Sequence, residues 1–320
     1  MTPSKTILTT NADEAAAVIR RGGIVAFPTE TVYGLGADVF DETAVRRIFE
    51  AKRRQPDNPL IAHIYDKFQI NDLAINVNET ARLLIDAFFP GPLTVVLERA
   101  VDVPLIATAG LDTVGIRMPR LPLAHEFLTA CKTPVVAPSA NLSGRPSPTT
   151  WQAVLEDLDG RIDCILHGDA TEIGVESTVV DCTLPIPTVL RPGSISLEEI
   201  AAVVSSITVG NGEVDELQKS PGMRYRHYSP RARVKIVDRR TKIANFLYPG
   251  RRFAYIGLRT TYSPFSVVKI CSSINEYARS LFEFFRECDR QGIDEIYCEA
   301  VEKIGIGTAL MDRLERAAED

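Results

Sequence analysis

Between Arg46 and Arg54 the chain sets five basic residues against the single Glu50, ending in Lys52-Arg53-Arg54 ahead of Gln55-Pro56-Asp57-Asn58-Pro59. Several cations converging on one anion suit a polyphosphate, because charge-assisted bonds to phosphate oxygens are strong. The same charges suit a solvated helix C-terminus that complements the macrodipole, so the run leaves both readings open. A second group is Pro28-Thr29-Glu30-Thr31-Val32-Tyr33-Gly34-Leu35-Gly36. Its hydroxyls could hold a small polar ligand or simply bond the backbone of a Gly-rich turn. Arg117 stands amid Val114 and Ile116. A buried arginine there needs an anionic partner, whether a protein carboxylate or a ligand carboxylate. Beyond Pro138, in a segment that also holds Ser143 and Arg145, the residues Ser139, Asn141 and Ser147 offer donors and acceptors suited to a nucleotide, or to capping the helix expected from 150. His63 lies inside an apolar run and reads first as a satisfied core histidine. Gly174-Val175-Glu176-Ser177-Thr178 and Arg191-Pro192-Gly193 are two further polar segments beside apolar runs.

These segments follow short apolar runs that alternate with helical patterns, which is the signature of an α/β chain whose polar groups gather at strand ends. Strands are expected at 24–27, 60–64, 93–97, 114–118, 134–137, 164–167, 178–182 and 188–191. Helices are expected at 12–21, from Asp41 as N-cap to about 54, and at 79–88, 123–131 and 150–158. Ser196 with Glu199 has capping-box spacing before a short closing helix, and Ser273 with Glu276 has the same spacing at the start of a later one. Residues 205–232 lose periodicity and read as a linker or as a loop with its own task. From 233 a smaller α/β unit is expected, with strands at 234–238, 253–257, 267–271 and 293–298 and helices at 273–290 and 308–318. The Gly34-Leu35-Gly36 and Gly305-Ile306-Gly307 pairs read as tight turns.

Several function classes fall away. No GxxxxGK[ST] loop, strand-linked GxGxxG, HExxH or GxSxG elbow occurs. The six cysteines lack CxxC spacing, which weakens zinc and redox-motif readings and favours a reducing cytoplasm. The longest apolar runs are of strand length, so no membrane span is expected. Lys and Arg number 36 against 42 Asp and Glu, a net charge of −6 that argues against a general nucleic-acid coat. Lys219 to Lys235 nevertheless holds six basic residues and no acidic one, together with Tyr225, His227 and Tyr228. That mixture suits either a solvated linker or a strap folded over an anionic ligand.

Together the segments resemble the L-threonylcarbamoyladenylate synthases, the YrdC-type proteins. The resemblance rests on PTETVYGLGAD from Pro28, the K-x-R of Lys52 and Arg54 with DNPL from Asp57, TAGLDTVGIRMP from Thr108, APSAN from Ala137, GVESTVVD from Gly174 and LRPG from Leu190. SPGMRYRHYSP from Ser220 and GIGTALMDRL from Gly305 resemble the family's long form. The resemblance implies a twisted, open mixed sheet with flanking helices around a cationic cavity over residues 1–204. A strap over 205–232 and a Rossmann-like α/β domain over 233–320 would follow.

It further implies a nucleotidyltransferase that condenses L-threonine, bicarbonate and ATP, with Mg²⁺, into threonylcarbamoyl-AMP and pyrophosphate. The product would serve a separate transferase that builds N6-threonylcarbamoyladenosine in tRNA. By this resemblance Thr31, His63, Arg117, Ala137 and Ser177 would hold threonine. Arg54, Asn58, Thr113, Ser139, Asn141, Ser147, Arg191 and the strap residue His227 would hold ATP, and Lys52, Arg54 and Arg191 would stabilise phosphate charge. The implied metal-binding set from protein side chains is empty. An RNA-binding module is a rival reading, and a cationic cavity leaves weak tRNA contact open. The charge balance favours the enzyme. A carbamoyltransferase built on the same domain is a second rival, but that architecture resembles larger proteins with zinc-finger cysteines.

Overall fold

The computed structural model describes residues 5–210, 219–220, 228–238, 250–261 and 264–319. The chain opens with β1 (Ile7–Thr9), α1 (Ala12–Ile19), β2 (Val25–Phe27), β3 (Gly34–Asp38), α2 (Glu42–Lys52) and β4 (Ile61–His63). After α3 (Ile70–Leu73) and β5 (Ala74–Ile75) come α4 (Glu79–Phe88), β6 (Leu93–Arg99), β7 (Thr113–Arg117), α5 (Pro122–Cys131) and β8 (Val135–Ala137). The unit closes with α6 (Trp151–Leu158), β9 (Cys164–Leu166), β10 (Thr178–Asp181), β11 (Thr188–Arg191), α7 (Leu197–Ala201) and β12 (Thr208–Val209). These strands form one twelve-stranded sheet in the order β1-β9-β2-β3-β8-β4-β7-β6-β10-β11-β12, with β5 added on β6. The sheet is mixed: β4 runs parallel to β7 and antiparallel to β8.

Local signals act where expected. The Asp41 carboxylate accepts the Thr43 and Ala44 N–H groups at the start of α2, whose buried stripe is Ala44, Val45, Ile48 and Phe49. Arg53, with φ 52°, ends that helix in the left-handed conformation and sends the chain back toward the sheet. Ser196 and Glu199 form the reciprocal capping box of α7. One apolar core lies on the α2, α4 and α6 side, and a second joins α1 and α5 to the opposite face.

Three sequence expectations change. Gly34-Leu35-Gly36 is not a turn but part of β3, which pairs with β2 and β8 in the middle of the sheet. A Cβ at Gly36 would stand 2.6 Å from Val135 Cγ1 and 3.0 Å from the Phe27 ring, so the glycine serves close packing inside a strand. In the other pair Gly305, with φ +56°, does turn the chain, while Gly307 lies within the first turn of the last helix. The start of the expected linker is ordered as edge strand β12, parallel to β11.

A second sheet contains β13 (Arg233–Val237), β14 (Phe253–Gly257), β15 (Val267–Ile270) and β16 (Glu295–Glu299), all parallel, in the order β13-β16-β14-β15. Helices α8 (Ile274–Arg290) and α9 (Ile306–Ala318) pack on it around Tyr277, Leu281, Phe285 and Leu314. The two units meet across α8. At Gly174, φ is +83° and a Cβ would lie 2.4 Å from Arg279 Cα, so only glycine lets this loop rest on the helix. The Arg286 guanidinium, 3 % exposed, donates to Asp157 Oδ2 at 2.8 Å and to the Pro146 carbonyl at 2.6 Å across the same boundary. Among the described residues no helix is long and apolar enough to cross a membrane.

Candidate active site

One cavity gathers the ends of β2, β4, β7, β8 and β11 with the loops that follow them. Its lining includes Thr31, Arg54, His63, Arg117, Ala137, Ser139, Asn141, Ser147, Ser177 and Arg191, ten of the residues singled out in the sequence. The loops are stitched by backbone bonds: Tyr33 N donates to Pro148 O, Ala140 N to Tyr33 O, and Gly174 N to Thr31 O. Segments that are far apart in sequence are thereby held as one wall.

Arg117 ends β7 and is 4 % exposed. Its NH1 donates to Thr31 Oγ1 at 2.7 Å, and its NH2 stands 2.7 Å from Glu30 Oε1 as an ion pair. Of the two partners considered for a buried arginine, a protein carboxylate is therefore present. Neither NH2 nor the Glu30 oxygens have a directed hydrogen bond, so the pair retains bonding capacity. Thr29 Oγ1 donates to Val32 O at 2.7 Å, so in the 2.8 Å contact between the two hydroxyls Thr31 must donate to Thr29. Thr31 thus receives from Arg117, gives to Thr29 and keeps one lone pair.

His63 is neutral, because burial and then the Arg117 charge push its pKa down to about 3. Its Nδ1 contacts Ile61 O at 3.0 Å and donates there, which leaves Nε2 as an acceptor. The ring packs edge-on against Phe27, with centroids 5.8 Å apart. The sequence reading of a satisfied core histidine and the ligand reading therefore both describe part of it: one nitrogen is satisfied, and the ring lines the cavity.

Arg191, at the end of β11, donates through Nε and NH2 to Ser177 O at 3.2 and 3.0 Å and through NH2 to Ser177 Oγ at 3.1 Å. Burial lowers its pKa from the ordinary arginine value. Arg54 clamps its own loop by donating to Asn58 O and Pro59 O. Ser139 Oγ donates to Asn141 Oδ1 at 2.5 Å, and Asn141 Nδ2 donates to Leu142 O and Arg145 O, fixing the curve of that loop.

Lys52, Asn58 and Thr113 are not in the lining. The Lys52 side chain, 1 % exposed, runs beneath the 139–141 loop and donates to Ser139 O at 2.5 Å, Asn141 O at 2.6 Å and Asn141 Oδ1 at 3.4 Å. Burial, then the neighbouring Arg54 charge, push its pKa well down. All three donors of its head group are taken by the loop, so here it braces the site from below instead of facing a phosphate. Thr113 begins β7 and Arg117 ends it, which separates them by roughly 13 Å at the rise of a strand. His227 lies outside the described residues.

The structure also places Thr29, Arg145, Glu176 and Tyr228 in the lining, residues that the resemblance did not assign to either ligand. Glu176 and Tyr228 stood within quoted segments, but each has a partner in the second unit. Tyr228, 4 % exposed, stacks on Phe282 at 5.3 Å and lies under the Arg313 guanidinium at 5.3 Å. Burial, then the Glu176 charge, raise its pKa. Among the described residues no group of three or more His, Cys, Asp and Glu side chains could hold a metal ion. The cavity donors are mainly guanidinium, hydroxyl and amide groups. This set does not fit a divalent ion held by the protein.

Comparison with known proteins adds an independent line. The Sua5/YciO/YrdC family model, described as telomere recombination, matches residues 17–193, and the model of the threonylcarbamoyl-AMP synthase C-terminal domain matches residues 195–319. The threonylcarbamoyl-AMP synthase of Pyrococcus abyssi is 46 % identical over 316 residues, covering 95 % of this chain and 93 % of that protein. That of Bacillus subtilis is 44 % identical over 322 residues, covering 95 % and 92 %. The crystal structure of P. abyssi Sua5 complexed with L-threonine matches with a TM-score of 0.93 at 44 % identity over 98 % of each chain. Escherichia coli YciO, with a TM-score of 0.52 at 26 % identity, covers 58 % of this chain and 93 % of its own. A mixed-sheet unit and a parallel-sheet unit matched in order along one chain show that it belongs to the threonylcarbamoyl-AMP synthase family, enzymes of the nucleotidyltransferase type.

Proposed function

We propose that this chain condenses L-threonine, bicarbonate or CO₂, and ATP into L-threonylcarbamoyl-AMP and pyrophosphate, the precursor of N6-threonylcarbamoyladenosine in tRNA. The observation that carries this reading is the charge of the cavity: among the described residues four arginines, Arg54, Arg117, Arg145 and Arg191, line it against the single carboxylate Glu176, in a chain whose net charge is −6. Such a wall suits a ligand set with several negative charges. The family membership and the threonine-bound relative from P. abyssi point the same way.

In this reading Arg117 pairs with the amino-acid carboxylate, and the free lone pair of Thr31 accepts from the ligand's hydroxyl or amine. The His63 Nε2, unprotonated, offers a second acceptor without adding charge. The neutral amine of threonine adds to CO₂ and gives up one proton to solvent, or adds to bicarbonate and expels water, and the carbamate oxygen then displaces pyrophosphate at the α-phosphorus. Arg54 and Arg191 offset the charge that spreads over the phosphate oxygens, so catalysis is mainly positioning and electrostatic stabilisation. Mg²⁺ would enter on the nucleotide phosphates, and no step passes through a metal held by the protein. Residues 205–232 would cover the site, and Tyr228, among the described residues of that stretch, reaches the lining. The product would pass to a separate tRNA-modifying transferase in the cytoplasm.

The test is pyrophosphate release from ATP by purified protein with Mg²⁺. Release that depends on both threonine and bicarbonate, with an adenylate of the expected mass, is the expected result. Equal release without threonine, or no adenylate, would overturn the reading.

A further inference from the structure

The second unit has no residue in the first unit's sheet, yet one of its side chains reaches the cavity wall. Arg313, on α9, is fully buried. Its Nε donates to Glu176 Oε2 at 2.9 Å, its NH1 to Asp312 Oδ2 at 2.5 Å and its NH2 to the Pro192 carbonyl at 3.1 Å. The other oxygen of Glu176, Oε1, accepts Ser147 Oγ at 2.5 Å. Both Glu176 and Ser147 line the cavity, and they are 7 % and 1 % exposed. A relay thus runs from the terminal helix through a carboxylate to a cavity hydroxyl.

We infer that Arg313 is a positioning residue that sets the hydrogen-bond polarity of Ser147: by holding Glu176 as a carboxylate, it commits the Ser147 proton to Glu176 and leaves Ser147 to accept from a donor group on the nucleoside part of the ligand. A serine hydroxyl has one proton and two lone pairs. With the proton given away at 2.5 Å, the Ser147 oxygen presents only acceptor character to the cavity, which suits an N–H or O–H and disfavours a phosphate oxygen. Burial alone would favour a protonated Glu176, which could donate to Ser147 and reverse the polarity. The charges of Arg313 and Arg191 and the Ser147 bond outweigh burial and hold its pKa below the ordinary carboxylate value. Against its own burial, the Arg313 charge is in turn supported by the Glu176 and Asp312 carboxylates and by the face of the neutral Tyr228 ring. Arg286 acts in parallel on the same loop, donating to Pro146 O directly before Ser147. The inference rests on the ATP reading above, and it gives the second unit a part in selecting the nucleotide.

The donor could be the exocyclic amine of the base or a ribose hydroxyl, and analogues separate the two. The full-length protein is titrated with ATP and with the triphosphates lacking the 6-amine, the 2′-hydroxyl or the 3′-hydroxyl, and with threonine as a control. One of the three analogues is expected to bind the wild type about tenfold or more weakly than ATP, the scale of one lost bond to a buried polar group. In Glu176→Gln, whose amide can donate to Ser147, and in Arg313→Gln, that preference is expected to shrink to about twofold or less while threonine affinity stays within about twofold. If Arg313→Gln does not fold, the double variant Arg313→Gln/Glu176→Gln, which removes both members of the buried ion pair, is compared with Glu176→Gln. Equal ATP affinities are expected, because Arg313 acts through Glu176. Equal binding of all four nucleotides by the wild type, or a preference kept by the folded Arg313→Gln or Glu176→Gln protein, overturns the inference. So does a double variant that binds ATP more weakly than Glu176→Gln. Absence of any ATP binding by the wild type would instead overturn the proposed function itself.

Discussion

Arg117 and Glu30 stand 2.7 Å apart as an ion pair in which both side chains are almost wholly removed from solvent. A carboxylate arriving at Arg117 must share that guanidinium with Glu30. Glu30→Gln should therefore do two opposite things. It breaks a buried charge pair, which lowers stability by about 3 kcal/mol, and it frees Arg117, which tightens threonine binding. Denaturant melts and threonine titrations read the two effects separately. Weaker threonine binding in a folded variant would mean that Glu30 contacts the ligand directly.

His63 makes stability depend on acid. Its folded pKa of about 3 lies below the ordinary value near 6.5, so the unfolded chain binds more protons between those two values. Stability is retained above pH 6.5 and falls as the pH drops toward 3, with a slope approaching about 1.4 kcal/mol per pH unit from this group. Folded His63→Gln should show a flatter pH profile of urea midpoints across that window. An identical slope would place the acid sensitivity in other groups.

Lys52→Met tests the brace beneath the 139–141 loop. Removing the head group takes the ammonium donor from the Ser139 and Asn141 carbonyls, while Asn141 Oδ1 keeps the Ser139 hydroxyl, at a cost of about 3 kcal/mol. Thermal melts measure the loss. If stability is unchanged and only ATP turnover falls, the ammonium leaves the loop to serve phosphate.

Arg54→Ala should weaken ATP binding about tenfold or more, as expected for loss of a charge-assisted contact, while threonine affinity holds. Isothermal titration with each ligand decides it. An unchanged ATP constant would reduce Arg54 to a clamp on the Asn58 and Pro59 carbonyls.

Gly174→Ala forces a Cβ onto the backbone of Arg279 in a conformation with φ of +83°. A loss of about 2 kcal/mol or more is expected, with the two units beginning to melt separately in calorimetry. A single transition at the wild-type midpoint would show that the loop relaxes without cost.

Capping and periodicity were readable because they are local. Helix 79–88 is found at those limits, and Asp41, Ser196 and Ser273 cap as their spacing implies. At the last of these Glu276 reaches back to Ser272, one residue earlier than a capping box requires. Strand β3 was hidden by its glycines, whose role is set by Phe27 and Val135 packed on either side. β1 was hidden by its two exposed residues, Ile7 and Leu8, which leave no alternating signal. In the site, types were legible and pairings were not. An arginine among valines announces a counter-charge, but nothing near position 117 says that Glu30 supplies it. Lys52 lies two residues from Arg54, yet the helix end sends one under the loop and the other to the cavity.

The Arg313 contact also has a consequence for how the protein is made. Glu176 and Ser147 leave the ribosome well before the helix that carries their partner. Until α9 emerges, the nascent chain can bury its sheet, but the Glu176 carboxylate in the cavity wall lacks the Arg313 guanidinium and relies on Arg191 and Ser147. Emergence of α9, rather than collapse of the first unit, is then the event that finishes the binding surface. A chain cut short before α9 would be defective in nucleotide choice even with its first sheet formed.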